Sequence, residues 1–226
     1  NMLCIIVPVY NNPKTLRRVV EGLRSINKAL IVVDDGSDLS ATELLSGIDC
    51  VIVTHKKNLG KGKALISGAK KAKELGFSHF MSVDADGQHF IDDAKKVFES
   101  FEGKNEIIIG KRDFDSVKVP KASSIGRFLG NSMVYIETGV WVSDTQSGLR
   151  IYPLSLFDKP FKSSGYEFEI ESLVRHLQRG GGLKMIDIKT IYPIDRVTHF
   201  HKVRDNFKMT VLHTKLIIFR VLKMGK

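Results

Sequence analysis

Cysteine is scarce. Only Cys4 and Cys50 occur in 226 residues, both inside apolar strand-like runs. Neither has a second Cys or a His at metal-ligand spacing, so a disulfide framework is excluded and buried thiols in a reducing compartment are expected. Long apolar runs are missing too. No stretch approaches the ~20 residues that span a bilayer. Leu3-Cys4-Ile5-Ile6-Val7 is too short for a signal-peptide core and has no basic lead-in. The chain is therefore expected to be cytoplasmic, either soluble or peripheral on the cytoplasmic face of a membrane. Asn1, standing before Met2, is expected to be a tag remnant. Low-complexity stretches, linkers and internal repeats are absent, which predicts a single domain over 2–226. Acidic residues are outnumbered, 25 against 35 basic ones, for a net charge of +10. That excess suits an anionic partner, and equally a merely soluble basic surface. Nucleic acid is not expected, because the basic residues are scattered and no aromatic-rich recognition motif accompanies them.

What is present is a β-α-β-α-β-α-β run. Met2 to Val9, Ala29 to Val33, Cys50 to Thr54 and His79 to Val83 read as buried strands. Leu16, Val19, Val20 and Leu23 recur at helical spacing, with Asn12 as the expected cap and Pro13 in the first helical position. A short helix covers Ala41 to Leu45, with Ser37 or Asp38 as its cap. Another runs to Lys73 with Leu65, Ala69 and Ala72 inside. Such alternation predicts an α/β fold with a mostly parallel sheet and helices on both faces. The later half is less regular. Helices are expected over 91–101, 124–138 and 166–178, strands over 106–110, 149–152 and 183–192, and a last helix from about Asp205. In open α/β sheets, ligands bind outside the carboxyl ends of the strands. Three such ends carry polar groups: Tyr10-Asn11, Asp34-Asp35 and Asp84-Ala85-Asp86.

Each motif has a bland and a functional reading. Asp84-Ala85-Asp86-Gly87-Gln88 is a polar turn after a strand, or two carboxylates for one hard cation such as Mg²⁺ or Mn²⁺. Its place behind a buried strand favours the cation. The spacing excludes an EF-hand. Asp34-Asp35 is a turn with a helix cap, or a carboxylate for a nucleotide base or ribose; two adjacent acids need a compensating partner. Asn58-Leu59-Gly60-Lys61-Gly62-Lys63 is a helix entry, or a phosphate cradle of glycines, N–H groups and lysines. It matches neither the Walker pattern nor the dinucleotide fingerprint. Arg112 and Arg127 suit phosphate oxygens or ordinary surface ion pairs. Asp144, before a Gly-containing turn, suits a cleft. Residues 205–226 form a basic amphipathic helix for a membrane interface, for the domain itself or for a second subunit.

Taken in order, these stretches resemble the inverting family-two glycosyltransferases of the GT-A fold. The matching elements are Val7-Pro8-Val9-Tyr10-Asn11, Val32-Val33-Asp34-Asp35-Gly36-Ser37, Asn58-Leu59-Gly60-Lys61-Gly62 and Val83-Asp84-Ala85-Asp86-Gly87-Gln88-His89. Gly110-Lys111-Arg112, the run Asp144 to Arg150, Tyr166-Glu167-Phe168-Glu169 and Thr198-His199-Phe200 make the chain similar to the polyprenyl- and dolichyl-phosphate sugar synthases. The resemblance implies a UDP- or GDP-linked sugar donor held over residues 2–90 and an acceptor half over 91–204. It implies Pro8 and Tyr10 around the nucleotide with Asp35 at base or ribose, and Lys61 among the donor-binding residues. Asp84, Asp86 and Gln88 would surround the metal and diphosphate. Arg112 and Arg127 would handle a lipid-phosphate acceptor, and Asp144 would stand in the acceptor site. Asn11 stands where many relatives have Glu. A homodimer is a further expectation. An acceptor phosphate needs little general base, whereas a hydroxyl acceptor would require one, for which Asp144 is the candidate. Two other classes fit less well. A haloacid-dehalogenase-type phosphotransferase wants Thr or Val shortly after the second Asp, where Gly87-Gln88 stands. A silent nucleotide-sugar-binding module has no need of both Asp84 and Asp86.

Overall fold

The computed structural model of the protein describes residues 2–113, 121–189 and 209–217, with 121–125 described in the backbone only. Seven strands form one sheet. They are β1 (Leu3–Val9), β2 (Leu30–Asp34), β3 (Val51–Thr54), β4 (His79–Ser82), β5 (Glu106–Arg112), β6 (Arg150–Pro153) and β7 (Gly182–Ile188). Their spatial order is β3-β2-β1-β4-β6-β5-β7. β6 runs antiparallel to both neighbours, and the other pairings are parallel. The expected mostly parallel α/β sheet is therefore present.

Strand alternation builds a core on each face. Cys4 and Ile6 of β1 point to one side, and Ile5 and Val7 to the other. The first side is covered by α3 (Lys61–Glu74), α5 (Lys121–Thr138), α6 (Phe168–Leu177) and a helix over 209–217, here α7. The second is covered by α1 (Leu16–Arg24), α2 (Ala41–Leu44) and α4 (Ile91–Glu99). Cys4 and Cys50 are free thiols, and burial pushes Cys4 up to about 12.

Two caps differ from expectation. α1 begins at Leu16, after a turn in which the Asn12 carbonyl accepts from Thr15 and Leu16. The Thr15 hydroxyl makes no cap bond and donates instead to the Ala85 carbonyl at 2.6 Å. It holds the loop after β4. α2 is capped by Ser40, whose hydroxyl accepts from Glu43 N. Ser37 faces the other way and accepts from Asn11 N.

α7 packs on the domain. Leu216 is buried in the first core, and Met209 and Leu212 pack against it. The remainder of the expected 205–226 helix, and Thr198-His199-Phe200, lie outside the described residues. The contact is closed by a buried pair, Glu137 Oε1 to His213 Nδ1 at 2.7 Å. Burial raises the Glu137 carboxyl above its ordinary 4.5, against the pull of His213. A carboxyl raised in the folded state holds its proton more tightly there than in the unfolded chain. Its contribution to stability is full below the ordinary value and is lost as pH rises through the raised one. Urea unfolding between about pH 4 and 8 is expected to show that loss. Glu137→Gln is expected to flatten it, and the same slope in both proteins would place its origin elsewhere.

Candidate active site

The carboxyl ends of β1, β2, β4 and β5 share one rim. In β1 the carbonyls of Ile6 and Val9 mark the two edges, because Ile6 O accepts from Val83 N and Val9 O from Asp35 N. Pro8 therefore faces the β4 side, two residues past Ile6, where β4 has ended at Ser82. A proline is tolerated there because no ladder donor is needed. Beyond Tyr10, Asn11 adopts a left-handed conformation, φ 53°. Its amide nitrogen donates to Asp38 Oδ2 at 3.1 Å, and its amide oxygen accepts from Asp38 N at 2.9 Å. The loops after β1 and β2 are thereby clasped together.

Asp34 and Asp35 divide their work. Asp34 accepts from Ser37 N and Ala41 N and so shapes the turn into α2. Asp35 accepts from Leu59 N at 2.9 Å, Gly60 N at 2.7 Å and the His55 ring at 2.6 Å. The compensation that adjacent acids need comes from backbone N–H groups and a histidine. His55 has no signal in the sequence; its other ring nitrogen meets Ser67 Oγ at 2.8 Å. Gly60, at φ +98°, lets the loop pass against the Ser164 carbonyl.

Asp84 and Asp86 follow β4 directly. Lys61 opens α3, and its ammonium lies 2.6 Å from Asp84 Oδ1 and 2.7 Å from Glu169 Oε1 of α6. Burial works against the Lys61 charge, but the two carboxylates outweigh it and hold the proton on. Burial also opposes the Asp84 charge, and here too Lys61 prevails, so its carboxyl sits below the ordinary range. Asp86 goes the other way. Burial first, then the Asp84 charge, raise it. Burial lowers His89, which feels the attraction of both acids. Gln88 enters through its backbone, whose N–H donates to Asp86 Oδ1 at 2.9 Å.

Two residues expected of the acceptor half, Arg112 and Asp144, meet beside the same rim. Arg112, ending β5, forks onto Asp144 through Nε to Oδ2 at 2.8 Å and Nη2 to Oδ1 at 2.9 Å. Its backbone N–H adds a third bond to the same carboxylate at 3.1 Å. Asp144 is 0% exposed, so it lies beneath Arg112 and does not project into a cleft. Arg127 is half-buried on α5, one turn before Asn131. The Asn131 amide donates to the Ser143 carbonyl at 2.7 Å and accepts from the Thr145 hydroxyl at 2.9 Å. α5 is thus fastened to the loop that carries Asp144.

That loop reaches the rim because β6 is antiparallel. Arg150, the first residue of β6, pairs with Ser82, the last of β4. Arg150 is fully buried and donates to the carbonyls of Thr145, Ser147 and Glu169. Gly148 then passes so close that a Cβ would overlap Asp84 Oδ2 and approach Lys61 Nζ to 2.9 Å. Like His55, Glu169, Arg150 and Gly148 are participants that sequence reasoning left without a role. Glu169 stood in a named motif, and Arg150 was a charge entering an apolar strand. Neither signal says which distant residue is met. Gly148→Ala is expected to lower stability by about 1–3 kcal/mol, read as a fall in denaturant midpoint. An unshifted midpoint would mean that the loop yields.

The chain is similar to known proteins in sequence and in fold. Residues 4–173 match the family model of glycosyl transferase family 2. The UDP-N-acetylglucosamine–dolichyl-phosphate N-acetylglucosaminyltransferase of Methanococcus voltae is 28% identical over 252 residues, covering 100% of this chain and 97% of that protein. The polyprenol monophosphomannose synthase of Mycolicibacterium smegmatis is 27% identical over 191 residues, 78% of this chain and 72% of that one. Among solved structures, glucosyl-3-phosphoglycerate synthase from Mycobacterium tuberculosis in complex with UDP superposes with a TM-score of 0.73 at 16% identity, over 97% of this chain and 79% of that one. The same enzyme with Mn²⁺, UDP and phosphoglyceric acid gives 0.69 at 16% identity, over 97% and 78%. At such identity the likeness speaks to the fold alone. Sheet order, rim and family match together make this chain a glycosyltransferase belonging to glycosyl transferase family 2.

Proposed function

We propose that the protein moves a sugar from a UDP- or GDP-linked donor to a lipid-phosphate acceptor with the help of a divalent metal. The observation that carries this reading is that the Asp84–Lys61 and Arg112–Asp144 pairs stand on one rim, near enough for Arg112 to act on the Asp84 charge. The names of the two relatives, each a lipid-phosphate sugar transferase, support the acceptor class.

The carboxylates fit a hard cation of a particular kind. Asp84 and Asp86 offer oxygen only, and among the described residues no group of three or more His, Cys, Asp or Glu forms a complete cage. Mg²⁺ and Mn²⁺ are commonly held by one or two carboxylates plus substrate phosphates, which is what these two residues would supply. Gln88 steadies Asp86 through its N–H. When bound, such an ion would offset charge growing on the leaving diphosphate.

The chain's own residues account for the remainder. Pro8, Tyr10 and Asp35 line the nucleoside end. Lys61 keeps Asp84 ionised and stands within reach of the diphosphate as a second positive charge. Asp144 fixes the planar fork of Arg112, the geometry that reads a phosphate; Arg127 approaches the same acceptor from α5. The acceptor oxygen attacks the anomeric carbon opposite the leaving diphosphate and inverts it. The placement of Asp144 favours a phosphate acceptor over a hydroxyl one, because the carboxylate that a hydroxyl would need as its base already accepts three bonds from Arg112. This reading places the enzyme in the cytoplasm, working against the cytoplasmic face of a membrane.

Two measurements test it. In a thermal-shift series with UDP, GDP and their sugars, one nucleotide at 100 times its Kd is expected to add ~2.7 kcal/mol. Mn²⁺ should enlarge that shift in the native protein, and Asp86→Asn should abolish the enlargement. Equal shifts in Mn²⁺ and in chelator would refute the metal assignment. Arg112→Lys is expected to raise KM for a polyprenyl phosphate by about 10- to 100-fold, the worth of a charged hydrogen bond, with donor KM unchanged. An unaltered acceptor KM would remove Arg112 from that role.

A further inference from the structure

Three side chains from separate parts of the chain form one hydrogen-bonded line at the β2–β3 side of the rim. Asp35 follows β2, His55 follows β3, and Ser67 lies in the middle of α3. His55 Nδ1 meets Asp35 Oδ1 at 2.6 Å, and Nε2 meets Ser67 Oγ at 2.8 Å. The sheet delivers the ring. His55 N donates to the Asp34 carbonyl and so adds one bond beyond Thr54, the last residue of β3. α3 holds Ser67 in place, because its Gly68 lies so near the sheet that a Cβ would overlap Ile6 and crowd Val33. The His55 and Asp35 side chains are only 9% and 4% exposed, so the line is shielded from water. A carboxylate only accepts. In the neutral ring the proton therefore sits on Nδ1, and Nε2 accepts from the Ser67 hydroxyl. Asp, His and Ser in this order also make up a hydrolytic triad. Ser67 does not suit that chemistry. It is well inside a 14-residue helix, where backbone N–H groups bond within the helix and leave no oxyanion donor.

We propose that His55 is a positioning residue for the nucleotide-sugar donor and acts through Asp35. A carboxylate offers about four acceptor positions on its two oxygens. Among the described residues, Asp35 Oδ1 takes the His55 ring and Leu59 N, and Oδ2 takes Gly60 N. Oδ1 is thus answered twice, and Oδ2 keeps a position for an N–H or O–H of the nucleoside. Leu59 and Gly60 are consecutive and belong to one loop, so they hold the carboxylate from one direction. His55 reaches it from the neighbouring strand and fixes its plane. A group ordered beforehand loses no rotamer freedom when its ligand arrives. Without the Nδ1 donor, a buried acceptor position on Oδ1 goes unanswered, and the carboxylate is free to turn from its set orientation. The inference rests on the reading above that Asp35 lines the nucleoside end, and adds to it the residue that sets Asp35.

Asparagine and glutamine separate the two ends of the ring. Asn branches at the same carbon as histidine and keeps a donor at the Nδ1 position, whereas Gln is one carbon longer and keeps a polar group at the Nε2 position. UDP and GDP are the probes, titrated calorimetrically into the full chain and both variants with Mn²⁺ present. For the nucleotide that the native chain binds, His55→Asn is expected to keep Kd within about threefold, and His55→Gln to raise it about tenfold, as loss of a hydrogen bond to a charged group does. In sugar transfer, His55→Gln should raise donor KM by the same factor and leave acceptor KM, and kcat at saturating donor, unchanged. A ring that merely ties β3 to α3 predicts the reverse order, because Gln keeps the Ser67 contact. That reverse order, or equal losses in the two variants, overturns the proposal. Nitrogen NMR of the native chain is independent of any folding defect in a variant. It should find the His55 proton on Nδ1, and a proton on Nε2 in its place overturns the proposal as well. A native chain that binds neither nucleotide refutes the donor reading itself. Native binding that His55→Gln leaves unchanged refutes this inference alone.

Discussion

The site depends on one half-buried ammonium. Lys61 lies between Asp84 and Glu169, which come from the β4 loop and α6. Drawing three charges partly out of water is costly unless they answer one another. The arrangement therefore has little tolerance for parting. It fixes the start of α3 against the end of β4, and both against α6. Asp84 remains ionised because Lys61 is there, and Asp86, which lacks such a partner so close, is the carboxyl whose proton is held more tightly.

Topology supplies the second constraint. A parallel strand ends at the rim, whereas an antiparallel one begins there. Inserting β6 in the opposite sense between β4 and β5 makes the loop before it arrive where β4 and β5 finish. That is how Asp144 meets Arg112, and how Gly148 comes to lie on Asp84. Arg150 stabilises the crossing by donating to three carbonyls that would otherwise be buried and poorly satisfied. Residues from the two halves of the chain become neighbours through one reversed strand.

α5 shows the same logic applied to a surface. Its buried side is specified by polar contacts, Asn131 to the Asp144 loop and Glu137 to α7. Its outer side is consequently apolar and exposed. The helix that secures the Asp144 loop also carries Phe128, Leu129, Tyr135 and Ile136 exposed on its outer side.

Periodicity and strand-end chemistry in the sequence determined the elements, the parallel character of the first half and the rim on which the polar groups stand. Buried strands need apolar runs, and helices need apolar residues three and four apart, so both are written locally. The pairs Asp84–Asp86 and Asp34–Asp35 were legible for the same reason, since each lies within one loop. Ordered motifs also pointed to the family. Only the tertiary structure decided which charge answers which. Lys61 and Glu169 are 108 residues apart, and Arg112 and Asp144 are 32 apart. Ser37 looked like a cap but serves a neighbouring loop, as the Thr15 hydroxyl does, because a hydroxyl bonds to whichever acceptor or donor folding brings nearest. Asp144 became the support of Arg112, and the C-terminal helix was drawn onto the core by Leu216 and His213. Local pattern determines what each segment forms, while ion pairing and burial act through space and are settled only when distant segments meet.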